Sequence, residues 1–566
     1  MSRYFWWQYC VDDHVGGVFI VNERFTIQGD SEISKLVNRS RLLGKDPSLV
    51  LYGGGNTSSK MEETDHLGRK RTILRIKGSG CDLRTITEQD FSGLYLEELL
   101  PLIDLDNMSD EDMVDYLGRC MVSAAERRPS IETLLHAFIE ALHVDHVHSD
   151  AICTLTNYEN AEKIIYEVLG KDVAFVPYCR PGFKLSKIVQ QFSKNYAVVL
   201  EHHGLVTWGN THEESYLKTI ELEEKAKEYI NNHKFKKEKN RLDTLKMDSR
   251  TTLLLRLRGQ LSQKQKQILT IDENQLELAN RKDVEKIATG GRSTLEHILR
   301  IGKDSLVVSD SADCKQAIQS YRESYTNFFH QFQHRLPKGF NMHENIDPKV
   351  GLIPGVGCFG AGISLATAKR NTEIARHTHE AMANVLDLFN TSKNLTEEEA
   401  FDIDYWPLEL YKLSLSPTVP NMAGYIFAFF GINNEHEGLI LEKLLKKGAH
   451  VIVASPYTER LGDMLDTYKN QVVLTGNNHF EEAIQKAILH FGGLDGVFMG
   501  EKATLSNEQV NKLNEVFETQ AITGVIIKAN ERSLNMDGSH ELNSTSVISA
   551  SANQTALAGI LSILGN

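Results

Sequence analysis

What this chain does without narrows its class before any motif is read. Its seven cysteines are scattered and form no Cys-x-x-Cys pair. That argues against a disulfide scaffold and a cysteine-held zinc ribbon, and it suits a reducing compartment. No apolar stretch approaches the roughly 20 residues a helix needs to cross a bilayer, and no basic segment followed by an apolar run resembles a secretory signal. A cytoplasmic protein with no membrane partner is therefore expected. Positive charge does not dominate: 62 Lys and Arg stand against 76 Asp and Glu, a formal charge of −14, so no nucleic-acid partner is expected. At 566 residues the chain is too long for one core, and two or three domains are expected. The aromatic cluster Tyr4-Phe5-Trp6-Trp7 near the start carries no chemistry that can be read from its residues.

The patterning that is present is that of an α/β protein. SEISKLVNRSRLLGK places Leu36, Val37, Leu42 and Leu43 on one helical face. SLVLYGGGNTSSK reads as strand, glycine turn, strand, and RTILRIKGSG as a strand running into a Gly-Ser-Gly loop. SIETLLHAFIEAL predicts a helix with Ser130 as its N-cap. HVDHVHSDAICTLTN reads as one strand and NYAVVLEHHGLVTWG as another, followed by a long helix. The charged stretch 231–250 and the connector 418–423 mark boundaries. After the second, GYIFAFFG, EGLILEKLLKKG and AHVIVAS form a strand-helix-strand unit of the parallel-sheet kind. Domains are expected at 33–235, 250–417 and 424–566. A weak internal repeat lays HHGLVTWG on PGVGCFGAG, matching Gly204 with Gly355, Trp208 with Phe359 and Gly209 with Gly360. It suggests that the middle region is a degenerate copy of the first, although a chance likeness of two strand-turn-helix units explains it as well.

The chemistry gathers around histidine. His146 and His148 stand two apart, a spacing that puts both on one strand face. His203 comes from a separate segment, beside His202, which a continuing strand would point the other way. Three imidazoles with an open fourth position are a catalytic zinc set, and other divalent metals suit the same donors. A lone His-x-His pair is more often a solvated strand face. Glu132, just before the His-x-His strand, is a natural general base, although a glutamate in a first helical turn is also a common capping residue. Gly53 to Ser58 and Gly78-Ser79-Gly80 offer backbone N–H groups and hydroxyls that suit a phosphate, without the spacing of a nucleotide P-loop.

The ordered set GGGNTSSK, KGSG, PSIETLLHAF, HVDHVHSDA and LEHHGLVTWG resembles the class II aldolase/adducin family over about residues 33–230. The resemblance implies a class II aldolase-like α/β/α domain. It implies His146, His148 and His203 as zinc ligands and Glu132 as the catalytic acid/base. It further implies Gly55, Asn56, Ser79, Gly80 and Ser130 as phosphate contacts, a small phosphorylated sugar as substrate, and a homo-oligomer. The whole chain resembles a larger family in which a rhamnulose-1-phosphate-type aldolase is fused to a short-chain dehydrogenase. The expected reaction is cleavage of a phosphorylated deoxyketose to dihydroxyacetone phosphate and an aldehyde. Retro-aldol epimerisation of a pentulose phosphate, a two-activity enzyme and a non-catalytic adducin-like scaffold stand as alternatives.

The tail departs from the dehydrogenase pattern. Its first turn reads Gly431-Ile432-Asn433-Asn434-Glu435-His436-Glu437-Gly438, without the inner glycines that let a pyrophosphate approach. Ser455 stands where an acidic ribose ligand is expected, Met499-Gly500-Glu501 replaces an Asn-Asn-Ala-Gly turn, and no Tyr-x-x-x-Lys pair follows Gly424. A Rossmann-like pseudo-dehydrogenase domain, with no NAD and no cofactor-binding residues, is the expectation.

Overall fold

The computed structural model describes residues 26–235, 244–309, 313–408, 418–432, 435–455, 462–475, 479–500, 502–528 and 546–549. The Tyr4–Trp7 cluster, Asn433, Asn434, Glu501 and most of the SVISASANQ segment lie outside them.

The first sheet contains β1 (Asn56–Thr64), β2 (Lys70–Lys77), β3 (Phe91–Tyr95), β4 (His143–Val147), β5 (Val173–Val176), β6 (Ala197–Leu200) and β7 (Gly204–Gly209). Its seven strands run in the order β3-β2-β1-β4-β7-β6-β5. β4 is central and wholly buried, because helices cover both faces of the sheet. Val147 packs with Ile152, Leu155, Leu222 and Ala226 on one face. Val144 packs with Leu135, Ile139, Leu185 and Val189 on the other. The alternation of a strand therefore turns His146 toward the face that carries Leu135, and Asp145 toward the opposite face. There Asp145 meets the buried Arg39 at 2.9 Å and accepts a hydrogen bond from Ser215 Oγ at 2.7 Å.

Several local expectations change. The segment read as one strand ends at Val147, where Ser149 accepts from Ile152 N and starts the helix Asp150–Thr156. The second segment is a hairpin, β6 and β7 joined through Glu201, His202 and His203. SLVL does not form a strand. The helix predicted from Ser130 begins instead at Thr133, with Glu132 in the capping position.

The second sheet contains β8 (Ile268–Asp272), β9 (Leu306–Val307), β10 (Val350–Ile353) and β11 (Gly357–Gly362), in the order β8-β11-β10-β9. Its β10–β11 hairpin runs into the helix Leu365–Phe389, as β6–β7 runs into His212–His233. The correspondence is atomic. A Cβ on Gly204 would strike Val147 O, and one on Gly357 would strike Asp272 O. Lys218 Nζ donates to Trp208 O, and Asn371 Nδ2 donates to Ala361 O. Thr207 Oγ1 contacts Ser215 O and Thr219, while Gly360 abuts Ala368 O and Thr372. The hairpin and helix positions share one offset along the chain, two residues longer than the sequence match, while Val147 and Asp272, on the neighbouring strands β4 and β8, stand on a shorter one. Gly204, Trp208 and Gly209 thus correspond to Gly357, Ala361 and Gly362, not to Gly355, Phe359 and Gly360. On the hairpin offset the position of His203 holds Val356, and on the separate offset that lays β4 on β8 (Val147 on Asp272) the positions of His146 and His148 hold Ile271 and Glu273.

The third sheet contains β12 (Ile426–Phe430), β13 (His450–Ala454), β14 (Val472–Thr475), β15 (Gly496–Met499), β16 (Val525–Lys528) and β17 (Ser546–Ser549), in the order β14-β13-β12-β15-β16-β17. All its pairings are parallel except β16–β17. This is the doubly wound order of dinucleotide-binding folds. Arg258 joins the last two regions: it is fully buried, forms an ion pair with Asp495 and donates to Gln520 Oε1 and Gly424 O. Among the described residues no helix is long and apolar enough to cross a membrane.

Candidate metal centre

The sheet register builds the centre. Asn56, the first residue of β1, lies opposite His146 on β4, and His146 lies opposite Val206 on β7. Gly55 makes the entry to β1 feasible: its φ is +56°, and a Cβ there would stand 2.6 Å from His146 O. His148 follows β4 by one residue, and His203 closes the β6–β7 hairpin.

The three imidazoles converge. His146 Nε2 lies 3.1 Å from His203 Nε2 and 3.2 Å from His148 Nε2. His146 Nδ1 donates to Leu205 O at 3.1 Å, which leaves its Nε2 lone pair directed at the centre. Glu132 stands beside them, Oε2 3.6 Å from His146 Nε2 and Oε1 3.4 Å from His203 Nε2. Glu132 Oε1 and His203 Nδ1 are buried without a hydrogen-bond partner. The three imidazole ligand atoms lie within 4.8 Å of one another, so the donor set fits a divalent metal.

Protonation favours the same reading. Burial, then His146 and His203, drives His148 far below the usual imidazole range. Burial likewise pulls His203 down to about 3. For Glu132, burial pushes the carboxyl up, but the facing His146 and His203 and the Asn56 amide outweigh it and hold the group at about 2. At neutral pH His148 and His203 are therefore neutral and Glu132 is ionised.

Asn56 and Ser130 share a hydrogen-bond set with Glu132. Asn56 Nδ2 donates to Glu132 Oε2 at 2.6 Å and to Ser130 Oγ at 3.2 Å. Behind them is His136, which the sequence reading missed. Its Nε2 contacts Asn56 Oδ1 and its Nδ1 lies 2.8 Å from Ser58 Oγ. It follows Glu132 by four residues along the helix, a spacing that could have marked it as a neighbour. His202 instead meets Asn157 Oδ1 through its Nδ1 at 3.2 Å, with a left-handed φ of +55°.

The two small-residue loops lie side by side. From a Cβ position on Gly53, Gly80 O and Cys81 O are each 3.5 Å away. Ser79 is half-buried and Gly80 exposed, so both are open to a ligand. Lys77 is not open: it is buried, with Nζ donating to Gly53 O at 2.6 Å and Gly54 O at 3.2 Å. Burial lowers it to about 8, and its contacts make it a clamp on the glycine turn.

A second group of potential ligands, Glu32, His143 and His212, lies on the opposite face of the sheet. There His212 Nδ1 faces Arg39 Nη1 at 2.7 Å and must accept from it, so its Nε2 carries the proton directed at Glu32 Oε2, 3.2 Å away. That is a hydrogen-bonded chain, not a convergence of lone pairs.

Comparison with known proteins bears on the family of the chain. The model of the class II aldolase and adducin N-terminal domain matches residues 34–230, and that of the aldolase class II second domain matches residues 248–413. A Bacillus subtilis protein named as an uncharacterized oxidoreductase, YuxG, is 34% identical over 492 residues, covering 82% of this chain and 71% of the relative. An L-fuculose phosphate aldolase of Methanococcus vannielii is 29% identical over 192 residues, covering 32% of this chain and 87% of its own. The N-terminal class II aldolase domain of a conserved Thermoplasma acidophilum protein is 43% identical, covering 37% of this chain and 98% of that structure, with a TM-score of 0.35. Both domain models and a relative that spans most of the chain place this protein in the class II aldolase/adducin family.

Proposed function

We propose that this chain is a zinc-dependent lyase that cleaves a phosphorylated deoxyketose of the rhamnulose 1-phosphate kind to dihydroxyacetone phosphate and an aldehyde. The observation that carries the proposal is the convergence of His146, His148 and His203 through Nε2, with the unpartnered Oε1 of Glu132 at 3.4 Å from His203. A zinc ion held by these three nitrogens would polarise the ketose carbonyl and take up the negative charge that develops as the C–C bond breaks. In cleavage Glu132, ionised at neutral pH, would take up the proton given by the hydroxyl next to the breaking C–C bond and pass it to the carbon that is freed; in synthesis it would take the proton from that carbon. Asn56 fixes the Glu132 carboxylate through Oε2 and leaves Oε1 for the substrate. Gly55, Ser79, Gly80 and Ser130 line the side on which the phosphate would lie. The aldolase named among the relatives acts on fuculose phosphate, which is consistent with this substrate class. The test is metal-dependent release of dihydroxyacetone phosphate from rhamnulose 1-phosphate and fuculose 1-phosphate by the purified protein. We further propose that the protein acts as a homo-oligomer.

A second reading, nucleotide-dependent oxidoreduction by the third domain, is favoured by the strand order of its sheet and by the name of the Bacillus relative. Local chemistry opposes it. Glu437 is buried beside the end of β12, and a Cβ on Gly500 would stand 2.8 Å from its Oε1. A carboxylate at the carboxyl ends of these strands occupies the crevice where a pyrophosphate would bind. Titration with NADH, followed by its fluorescence, tests this reading: saturable binding would support it.

A further inference from the structure

The middle region lies against the glycine turn of the candidate site, and it brings positive charge there. Arg300, at the end of the helix Leu295–Ile301, donates from Nη2 to Tyr52 O at 3.1 Å. The same nitrogen is 3.6 Å from a Cβ position on Gly53, where Gly80 O lies at 3.5 Å. Arg370, on the helix Leu365–Phe389, and Arg84 each place their guanidinium 5.9 Å from the Tyr52 ring centre. Three guanidinium groups from two regions of the chain thus surround one turn. Acids offset two of the three: Glu296 pairs with Arg300 at 2.9 Å and Asp82 is 3.9 Å from Arg84, while Glu373 accepts from the Tyr52 hydroxyl.

Arg370 is the unbalanced member. Its Nε is buried without a hydrogen-bond partner, and among the described residues it makes no ion pair. Burial, and next the charge of Arg300, lower its proton affinity. An unpaired buried N–H beside a second cation is unfavourable unless an anion binds there.

We propose that Arg370 and Arg300 bind the phosphate dianion of the substrate, so that the middle region completes the site from within the same chain. This rests on the aldolase reading for the identity of the ligand but not for the existence of the anion site. A guanidinium contributes a charge-assisted, bidentate grip that glycine N–H groups and a serine hydroxyl lack. On this account the region that holds Ile271, Glu273 and Val356 in place of the three histidines has kept a place in catalysis by supplying charge instead of metal ligands.

The test uses the full-length, metal-loaded protein and inorganic phosphate, titrated by calorimetry. Arg370→Ala is expected to weaken phosphate binding about tenfold or more and to leave the metal content unchanged. Arg300→Ala is expected to do the same, and Arg370→Lys to recover part of the loss. With a phosphorylated ketose, KM should rise more than kcat falls. His148→Ala, which removes a metal ligand, should still bind phosphate. Unchanged phosphate affinity in a folded, metal-loaded Arg370→Ala protein would overturn the proposal. If Arg370→Ala does not fold, equal phosphate affinity in Arg370→Lys and Arg300→Ala would overturn it. If the wild type binds phosphate through Arg370 yet cleaves no sugar phosphate, the anion site stands and the aldolase reading falls.

Discussion

Asn56 Nδ2 lies 2.6 Å from Glu132 Oε2, and this contact joins the proposed phosphate side of the site to the proposed base. Asn56 opens β1, and Glu132 precedes the helix Thr133–Phe138. The ionised Glu132 carboxylate can only accept, which fixes Nδ2 as the donor and leaves Asn56 Oδ1 to accept from His136 Nε2. Removing the amide should therefore misdirect the carboxylate without removing the metal ligands. Asn56→Ala is expected to lower kcat about 10- to 100-fold, the usual scale for loss of a supporting hydrogen bond around a metal centre. Steady-state kinetics with metal analysis on the same sample checks it.

Glu132→Gln separates the base from the metal. The three imidazoles are untouched, so bound metal should persist, while kcat should fall by about 10²- to 10⁴-fold. A variant with near-normal turnover would mean that another group moves the proton.

Acid should unfold this protein early. Burial holds His136 at about 3, and His379, in the middle region, at about 3 as well. The unfolded chain binds a proton at each of these near the ordinary imidazole value of about 6.5. Between those values the unfolded state carries more protons, so stability is complete above about pH 6.5 and declines as pH falls toward 3. Denaturant midpoints measured across that range should drop steadily, and replacing His379 with Gln should flatten the slope.

Arg258 and Asp495 test the tie between the middle and last regions. Both are buried, and Lys266 adds a second contact to Asp495 at 2.8 Å. Arg258→Met leaves the Asp495 carboxylate short of its main partner in a low-dielectric setting and should cost about 3–5 kcal/mol. Chemical denaturation reads this directly, and the loss should appear in the transition that melts the third sheet.

Much of the centre was legible because its chemistry is carried by rare residue types at telling spacings. His146, His148, His203 and Glu132 could be named from sequence, and the coordinates bring their functional atoms together. Local form was less legible. Alternating apolar residues look alike in one long strand and in a strand that ends at a Ser149 cap, and only the cap geometry separates them. The β6–β7 hairpin was hidden because His202, at φ +55°, turns the chain without a glycine. Arg300 and Arg370 carry no local signal. They matter only because the fold sets the middle region against Tyr52, a contact that no spacing in the sequence announces.

The central claim is that three imidazoles hold a metal that makes this chain an aldolase. The most direct measurement is bound metal together with release of dihydroxyacetone phosphate from rhamnulose 1-phosphate and fuculose 1-phosphate, for the wild type beside His148→Ala. The account predicts about one zinc per chain and metal-dependent cleavage in the wild type, with both lost in the variant. A wild-type protein that takes up no divalent metal, or that binds it and releases no dihydroxyacetone phosphate from either sugar, would contradict it.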